Sequence, residues 1–213
     1  MWIISLGKGF CLGFFAYFLG FLMDLTISQK SMLLILEKTP KLFIEGYKKC
    51  QFNLMLLSPI VYSFTDQYLL THENNIINIS KVIYLTLIHH FGYYAVHKSM
   101  HKIDTLRKFH DFHHKFDKIL CPSIGNAVST VEFTAAYVCP FICGAILVKP
   151  NEITFVIPIA LISVFNNLIH CRELKNVPWP AFLVSPKQHL EHHEVRSKHF
   201  SAPILNLDYF LEK

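Results

Sequence analysis

Charged residues are scarce in this chain: they make up 16% of its 213 residues, against 52% hydrophobic and 14% aromatic residues, and the mean hydropathy is +0.35. That balance excludes an ordinary soluble domain of this size and points to one membrane-embedded domain. The six cysteines (Cys11, Cys50, Cys121, Cys139, Cys143, Cys171) contain no C-x-x-C pair, so they read as reduced, small apolar side chains rather than as ligands of a structural zinc. His-Glu-x-x-His is missing as well, because neither His72-Glu73 nor His193-Glu194 is followed by a second histidine at the required place. This removes the common metalloprotease signature. No flavin, nicotinamide or haem motif, internal repeat or low-complexity tract is present. The net charge of +5 is not gathered into a basic stripe interleaved with aromatics, so no nucleic-acid partner is expected. Met1 to Met23 has only Lys8 as a basic residue and no small-x-small site before Asp24, and it reads as a retained span or anchor rather than a signal peptide.

Five apolar stretches are present, roughly Trp2 to Met23, Phe52 to Leu70, Ile76 to Val96, Ala127 to Val148 and Ile153 to Ile169. None is a clean run of twenty uncharged residues, and the second, with Pro59 and Asp66, is the weakest. Ser31 to Cys50 alternates apolar residues with lysines and predicts an interfacial helix interrupted at Pro40. The expected fold is all-α: an integral membrane helical bundle of about four to five spans with a histidine-rich cap. Residues 1–75 are expected to form the anchor spans and interfacial helix, and residues 76–213 the catalytic region, within one structural domain.

Basic residues orient this scheme. Lys30, Lys38, Lys41, Lys48 and Lys49 lie in the first long loop, and Lys98, Lys102, Arg107, Lys108, Lys115 and Lys118 come after the third stretch, whereas Thr71 to Asn75 has none. The two basic loops are therefore assigned to the cytoplasm. The Lys149 to Glu152 turn predicts that the fourth and fifth stretches form a hairpin. The segments before Ala127 and after Ile169 then lie on one side of the membrane.

Those two places hold the histidine motifs. Thirteen histidines occur, and nine fall into His97-x-x-x-His101, His110-x-x-His113-His114, His170 and His189-x-x-His192-His193. On a helix, residues three or four apart point to one side, so each paired motif offers two or three imidazoles to a common point. Imidazole suits iron, zinc, copper and nickel, and nine rings exceed what one ion can coordinate, so two ions are the economical count. His72, His89 and His199 stand alone and are expected to be merely solvated or hydrogen-bonded.

These motifs resemble the fatty acid hydroxylase and sterol desaturase superfamily of membrane di-iron enzymes. His90 to His101 (HFGYYAVHKSMH) is similar to the family's aspartate-led DxxYYxxHRxxH stretch, Phe109 to His114 to its H-x-x-H-H motif, Phe165 to His170 to its F-led histidine segment, and Ser185 to His193 (SPKQHLEHH) to its closing tPxxHxxHH. The resemblance covers about Ile76 to Phe210; the first 70 residues match only as a generic anchor. It implies metal ligands at His97, His101, His110, His113, His114, His170, His189, His192 and His193. His90 replaces the family's aspartate and is expected as an added ligand or the partner of one. Lys98 replaces an arginine, keeping charge without the bidentate fork. Asn166 is expected either to reach metal through water or to cap a helix, and Glu132, in the family's PxE region, to start a helix or support a ligand. Asp208 resembles an aspartate near the family's C-terminal end.

The resemblance further implies two iron ions, with zinc able to substitute, and dioxygen as co-substrate. It implies a membrane lipid hydroxylated or desaturated on the cytoplasmic side, and electrons from a ferredoxin or cytochrome b5-type carrier. No catalytic residue is expected beyond the ligands. A histidine-rich metal transporter is the rival reading, but its ligands belong near mid-bilayer on facing spans rather than at helix ends and in polar loops.

Overall fold

The computed structural model describes residues 2–72, 76–117 and 119–212, and among them the chain is helical with no strand. Glu73 to Asn75 and Lys118, which bear on the charge asymmetry of the loops, lie outside the described residues.

Helix α1 (Trp2–Thr26) buries a face of small residues, Ser5, Gly9, Gly13, Ala16 and Gly20, and packs on α4 (Ser58–Tyr68). Small residues every three or four positions let two backbones approach where no water drives helices together. At Gly13 the approach is extreme: a Cβ there would sit inside the Leu54 carbonyl, so no other residue fits. The opposite face presents Phe10, Phe14 and Phe18, stacked at centroid separations of 6.5 and 5.6 Å and exposed. An apolar strip of this kind is suited to apolar surroundings rather than to water.

Two shorter helices, α2 (Gln29–Lys38) and α3 (Pro40–Gln51), come next, and the break between them falls at Pro40, which opens α3 as its first residue. Proline also explains two local widenings. The π-helical turns Phe52–Leu57 and Phe133–Val138 end just before the pairs Ser58-Pro59 and Cys139-Pro140. A proline lacks the N–H and its ring crowds the carbonyl one turn back, which loosens the preceding ladder. Both widened turns contribute cavity-lining residues, Leu54 from one and Phe133, Tyr137 and Val138 from the other.

Helix α5 (Ile79–Lys102) is capped by Asn78, whose side chain accepts from the Lys81 N–H. It packs against both α8 (Cys139–Val148) and α9 (Glu152–Ile169), which the Lys149 to Asn151 turn connects. The predicted hairpin is thus present as a connection, and its two arms meet through Phe141 and Phe155, with ring centroids 5.9 Å apart. Short helices α6 (Asp104–His110), α7 (Thr130–Glu132), α10 (Pro186–Val195) and α11 (Leu207–Leu211) complete the chain.

Three helical segments, Trp2–Thr26, Thr130–Val148 and Glu152–Ile169, are long and apolar enough to cross a membrane. The second and third stretches read from the sequence do not reach that standard: α4 with its π turn carries Asp66, and α5 carries His89, His90, His97 and His101 together with Lys81, Lys98 and Lys102. Asp66 is accommodated inside the bundle, accepting from the Ser5 hydroxyl at 2.5 Å.

Candidate metal centre

Four pieces of chain deliver the histidines to one end of the bundle. The last turns of α5 place His97 and His101 on one face, and α6 ends on His110, with a tight 3-10 turn carrying His113 and His114 after it. His170 caps the C-terminus of α9. The short α10, which carries His189, His192 and His193, starts from a capping box in which Ser185 and Gln188 satisfy each other's backbone N–H groups, with Pro186 at its first position.

The nine rings divide into two sets. His97, His101, His110, His114 and His192 form one, and His113, His170, His189 and His193 the other; within each set one nitrogen per ring lies within 4.8 Å of all the others. The sets abut, with the His114 and His193 rings 4.7 Å apart between centroids. All nine residues but His101 are essentially removed from solvent.

Hydrogen bonds on the outer nitrogens fix which atom faces inward. His97 Nδ1 donates to the Phe200 carbonyl at 2.7 Å, His110 Nδ1 to Glu132 Oε1 at 2.6 Å, His192 Nδ1 to the Lys198 carbonyl at 2.8 Å and His170 Nδ1 to the Asn166 carbonyl at 2.6 Å. A neutral imidazole has one N–H, so each of these rings turns a bare Nε2 toward the interior. His97 Nε2 and His110 Nε2 then stand 3.0 Å apart, lone pair against lone pair. Such pairs cannot hydrogen-bond; a cation between them resolves the conflict. Other inward Nε2 separations run from 2.9 Å (His110 to His114) to 3.3 Å (His97 to His101) in the first set, and are 3.0 and 3.2 Å in the second. With metal–nitrogen bonds of about 2.1 Å, neighbouring ligands stand about 3.0 Å apart at right angles and about 3.4 Å apart in a tetrahedron. The residues present therefore fit one ion in each set.

Protonation agrees with this geometry. Burial first, then the neighbouring rings, holds His113, His114, His189, His192 and His193 far below the ordinary imidazole range, while burial pushes His170 down to about 4. These rings are neutral at pH 7, as ligands must be.

Glu132 stands at the start of α7, where its N–H is capped by the Ser129 hydroxyl, and its carboxylate accepts from His110 Nδ1. Asp208 carries a chain of support, accepting from the N–H groups of Phe200 at 3.1 Å and Ser201 at 2.7 Å, which fixes the Phe200 carbonyl on which His97 leans. His90 joins neither set. Its Nδ1 donates to the Thr86 carbonyl at 2.7 Å and its Nε2 accepts from the Ile204 N–H at 3.2 Å, so it pins the C-terminal segment. Asn166 joins neither set with its side chain, which donates to Asn126 at 3.3 Å, but its carbonyl orients His170. Gly125 is close enough to His170 that a Cβ would lie 3.0 Å from Nδ1. His199 stays outside both sets, 3.3 Å from Glu191.

The isolated His89 departs from expectation. It is neither solvated nor hydrogen-bonded: it is fully buried in α5 with both ring nitrogens unpartnered. It lines an apolar cavity to which α1, α4, α5, α8 and α9 contribute, and which reaches from Tyr62 and Phe155 to Asn126 and Asn166. Along α9 the lining runs from Phe155 to Asn166, about 16 Å at 1.5 Å per residue.

Comparison with known proteins adds the family. No curated protein and no solved structure matches the chain. Residues 82–212, more than half the chain and all nine clustered histidines, match the family model described as fatty acid hydroxylase. The chain belongs to the fatty acid hydroxylase family, within the sterol desaturase and fatty acid hydroxylase superfamily of oxidoreductases.

Proposed function

We propose that the protein is a membrane-bound di-iron oxidoreductase that uses dioxygen and externally supplied electrons to hydroxylate, or desaturate, a lipid. The observation that carries this reading is the adjacency of cavity and histidines: the apolar cavity is lined by Asn166, whose carbonyl accepts the proton of His170. An acyl or sterol skeleton lying in that cavity ends beside the second histidine set.

His97, His101, His110, His114 and His192 would hold one ion, and His113, His170, His189 and His193 the other. When bound, two irons supply the activation of dioxygen needed to remove hydrogen from an unactivated C–H bond. The protein's own groups do the positioning. Glu132 and the carbonyls of Phe200, Lys198 and Asn166 keep the ring protons on the outer nitrogens, so that the inner ones stay available. The packed apolar walls align a hydrocarbon and exclude water from the oxidation.

Four to five crossings, with α4 and α5 completing the three longest apolar helices, and histidines facing the cytoplasm complete the proposal; the lysine-rich segments around α2, α3 and α6 support that orientation. No cofactor motif lies in the chain, so a ferredoxin or cytochrome b5-type donor is assigned to deliver electrons. Hydroxylation is favoured over desaturation, because the order of the histidine motifs resembles the hydroxylase and sterol-oxidase branch. The test is lipid analysis of membranes containing the protein or His193→Ala under labelled dioxygen. Label in a hydroxylated lipid that depends on His193 supports hydroxylation, and a His193-dependent double bond with label only in water supports desaturation. Neither product, together with metal movement across vesicles, replaces the proposal with a transporter.

A further inference from the structure

Four of the polar side chains that line the cavity have partners within the protein. Tyr62 donates to Glu152 at 2.8 Å, Thr65 to the Val61 carbonyl at 2.9 Å, Ser163 to the Ile159 carbonyl at 2.9 Å and Asn166 to Asn126. His89 has no such partner at either nitrogen, although it is 0% exposed. Its ring packs against Phe141 at 4.4 Å and Tyr93 at 6.2 Å between centroids, and neither offers it a hydrogen bond. A buried polar side chain without a partner is destabilising, and where it lines a cavity the occupant is the natural source of one.

We infer that His89 recognises a hydroxyl or carbonyl oxygen on the lipid held in this cavity. The inference rests on the reading of the cavity as the lipid site and adds the chemistry that the site selects. The neutral ring has one donor and one acceptor, which match a hydroxyl or a carbonyl. A carboxylate or phosphate is disfavoured, because no lysine or arginine lines the cavity and a charge among these walls would stand uncompensated. His89 precedes His97 by eight residues, about 12 Å along α5. The recognised oxygen is therefore remote from the carbon that meets the metals, which places the oxidised position well along the skeleton from that oxygen.

The experiment measures binding without turnover. Purified protein in nanodiscs, without reductant, is titrated with hexadecanol and with hexadecane, and the ratio of the two affinities is compared between wild type and variants. Wild type favours the alcohol by at least about tenfold, as a site built around a hydrogen bond does. His89→Phe brings the ratio close to one, and His89→Gln, whose amide keeps a donor and an acceptor, restores most of it. Metal content stays the same in all three. A wild-type ratio near one, or a preference that survives His89→Phe, overturns the inference, as does finding an ordered water as the sole partner of the ring. If His89→Phe fails to fold, the nitrogen chemical shifts of His89 in wild type decide: they move with hexadecanol and not with hexadecane, and no movement overturns the inference. Failure of the oxidase reading has a different signature, namely an intact alcohol preference with no oxidised lipid produced.

Discussion

Exchanging Glu132 for glutamine tests whether the two histidine sets are separate sites with separate supports. The Glu132 carboxylate and the His110 imidazole are each almost fully buried, with side-chain exposures of 1% and 2%, and meet at 2.6 Å, so solvent screens little of the interaction. A carboxylate on the outer nitrogen raises the basicity of the inner one and fixes the ring, and loss of such a partner lowers metal affinity by about 10 to 100-fold, or about 1.4 to 2.7 kcal/mol. Glutamine keeps the shape and an accepting oxygen but removes the charge, so the loss belongs at the lower end of that range. Alanine adds an unsatisfied buried N–H and belongs at the upper end. The second set leans on the Asn166 carbonyl instead and keeps its affinity. Ferrous iron titrated anaerobically against a competing chelator, fitted to two sites, reads both constants. An equal loss at both sites, or less than about a threefold loss at the first set, would refute the idea that Glu132 serves the first set alone.

Three further outcomes are expected. Gly125→Ala places a methyl 3.0 Å from His170 Nδ1 and pushes the ring by a few tenths of an ångström, which lowers iron affinity in the second set while leaving the first unchanged in the same two-site titration. Metal-free protein loses thermal stability on acidification: His170 falls from the ordinary imidazole value of about 6.5 to about 4 on folding, so the unfolded chain takes up the proton first. That stability is complete above pH 6.5 or so and is lost as pH drops toward 4, at up to about 1.4 kcal/mol per pH unit for each such ring; an apparent Tm that does not change between pH 7.5 and 5 would contradict it. Cysteines at Lys115 and Lys187 react with a membrane-impermeant maleimide only from the cytoplasmic side, and one at Ile153 only from the other. Opposite labelling of the first pair would place the histidine motifs on two sides of a membrane.

The sequence carried the centre unevenly. Histidines at three- and four-residue spacing announce a shared face, and the Lys149 to Glu152 turn predicts that distant motifs meet, so the nine clustered residues were legible before any coordinate. Their supports were less so. Three of the four groups that orient the rings are backbone carbonyls, of Phe200, Lys198 and Asn166, and a carbonyl has no residue identity to read. Glu132 and Asp208 were visible only through resemblance, because each acts on chain far from it in sequence or through a backbone it does not own. His90 and His89 show the limit of spacing arguments. Both lie on the same helix as His97, yet one binds the backbone of Ile204 and the other lines a cavity built from helices far apart in sequence. The second and third apolar stretches were harder to read: Asp66 and the α5 histidines lower their hydropathy, yet Asp66, His89, His90 and His97 are buried inside the bundle.

The central claim is that each histidine set holds one iron. Anomalous diffraction collected at the iron absorption edge from protein produced with sufficient iron tests it most directly. Two peaks are predicted, one among His97, His101, His110, His114 and His192 and one among His113, His170, His189 and His193. A single peak, or a folded centre with none, would contradict the account.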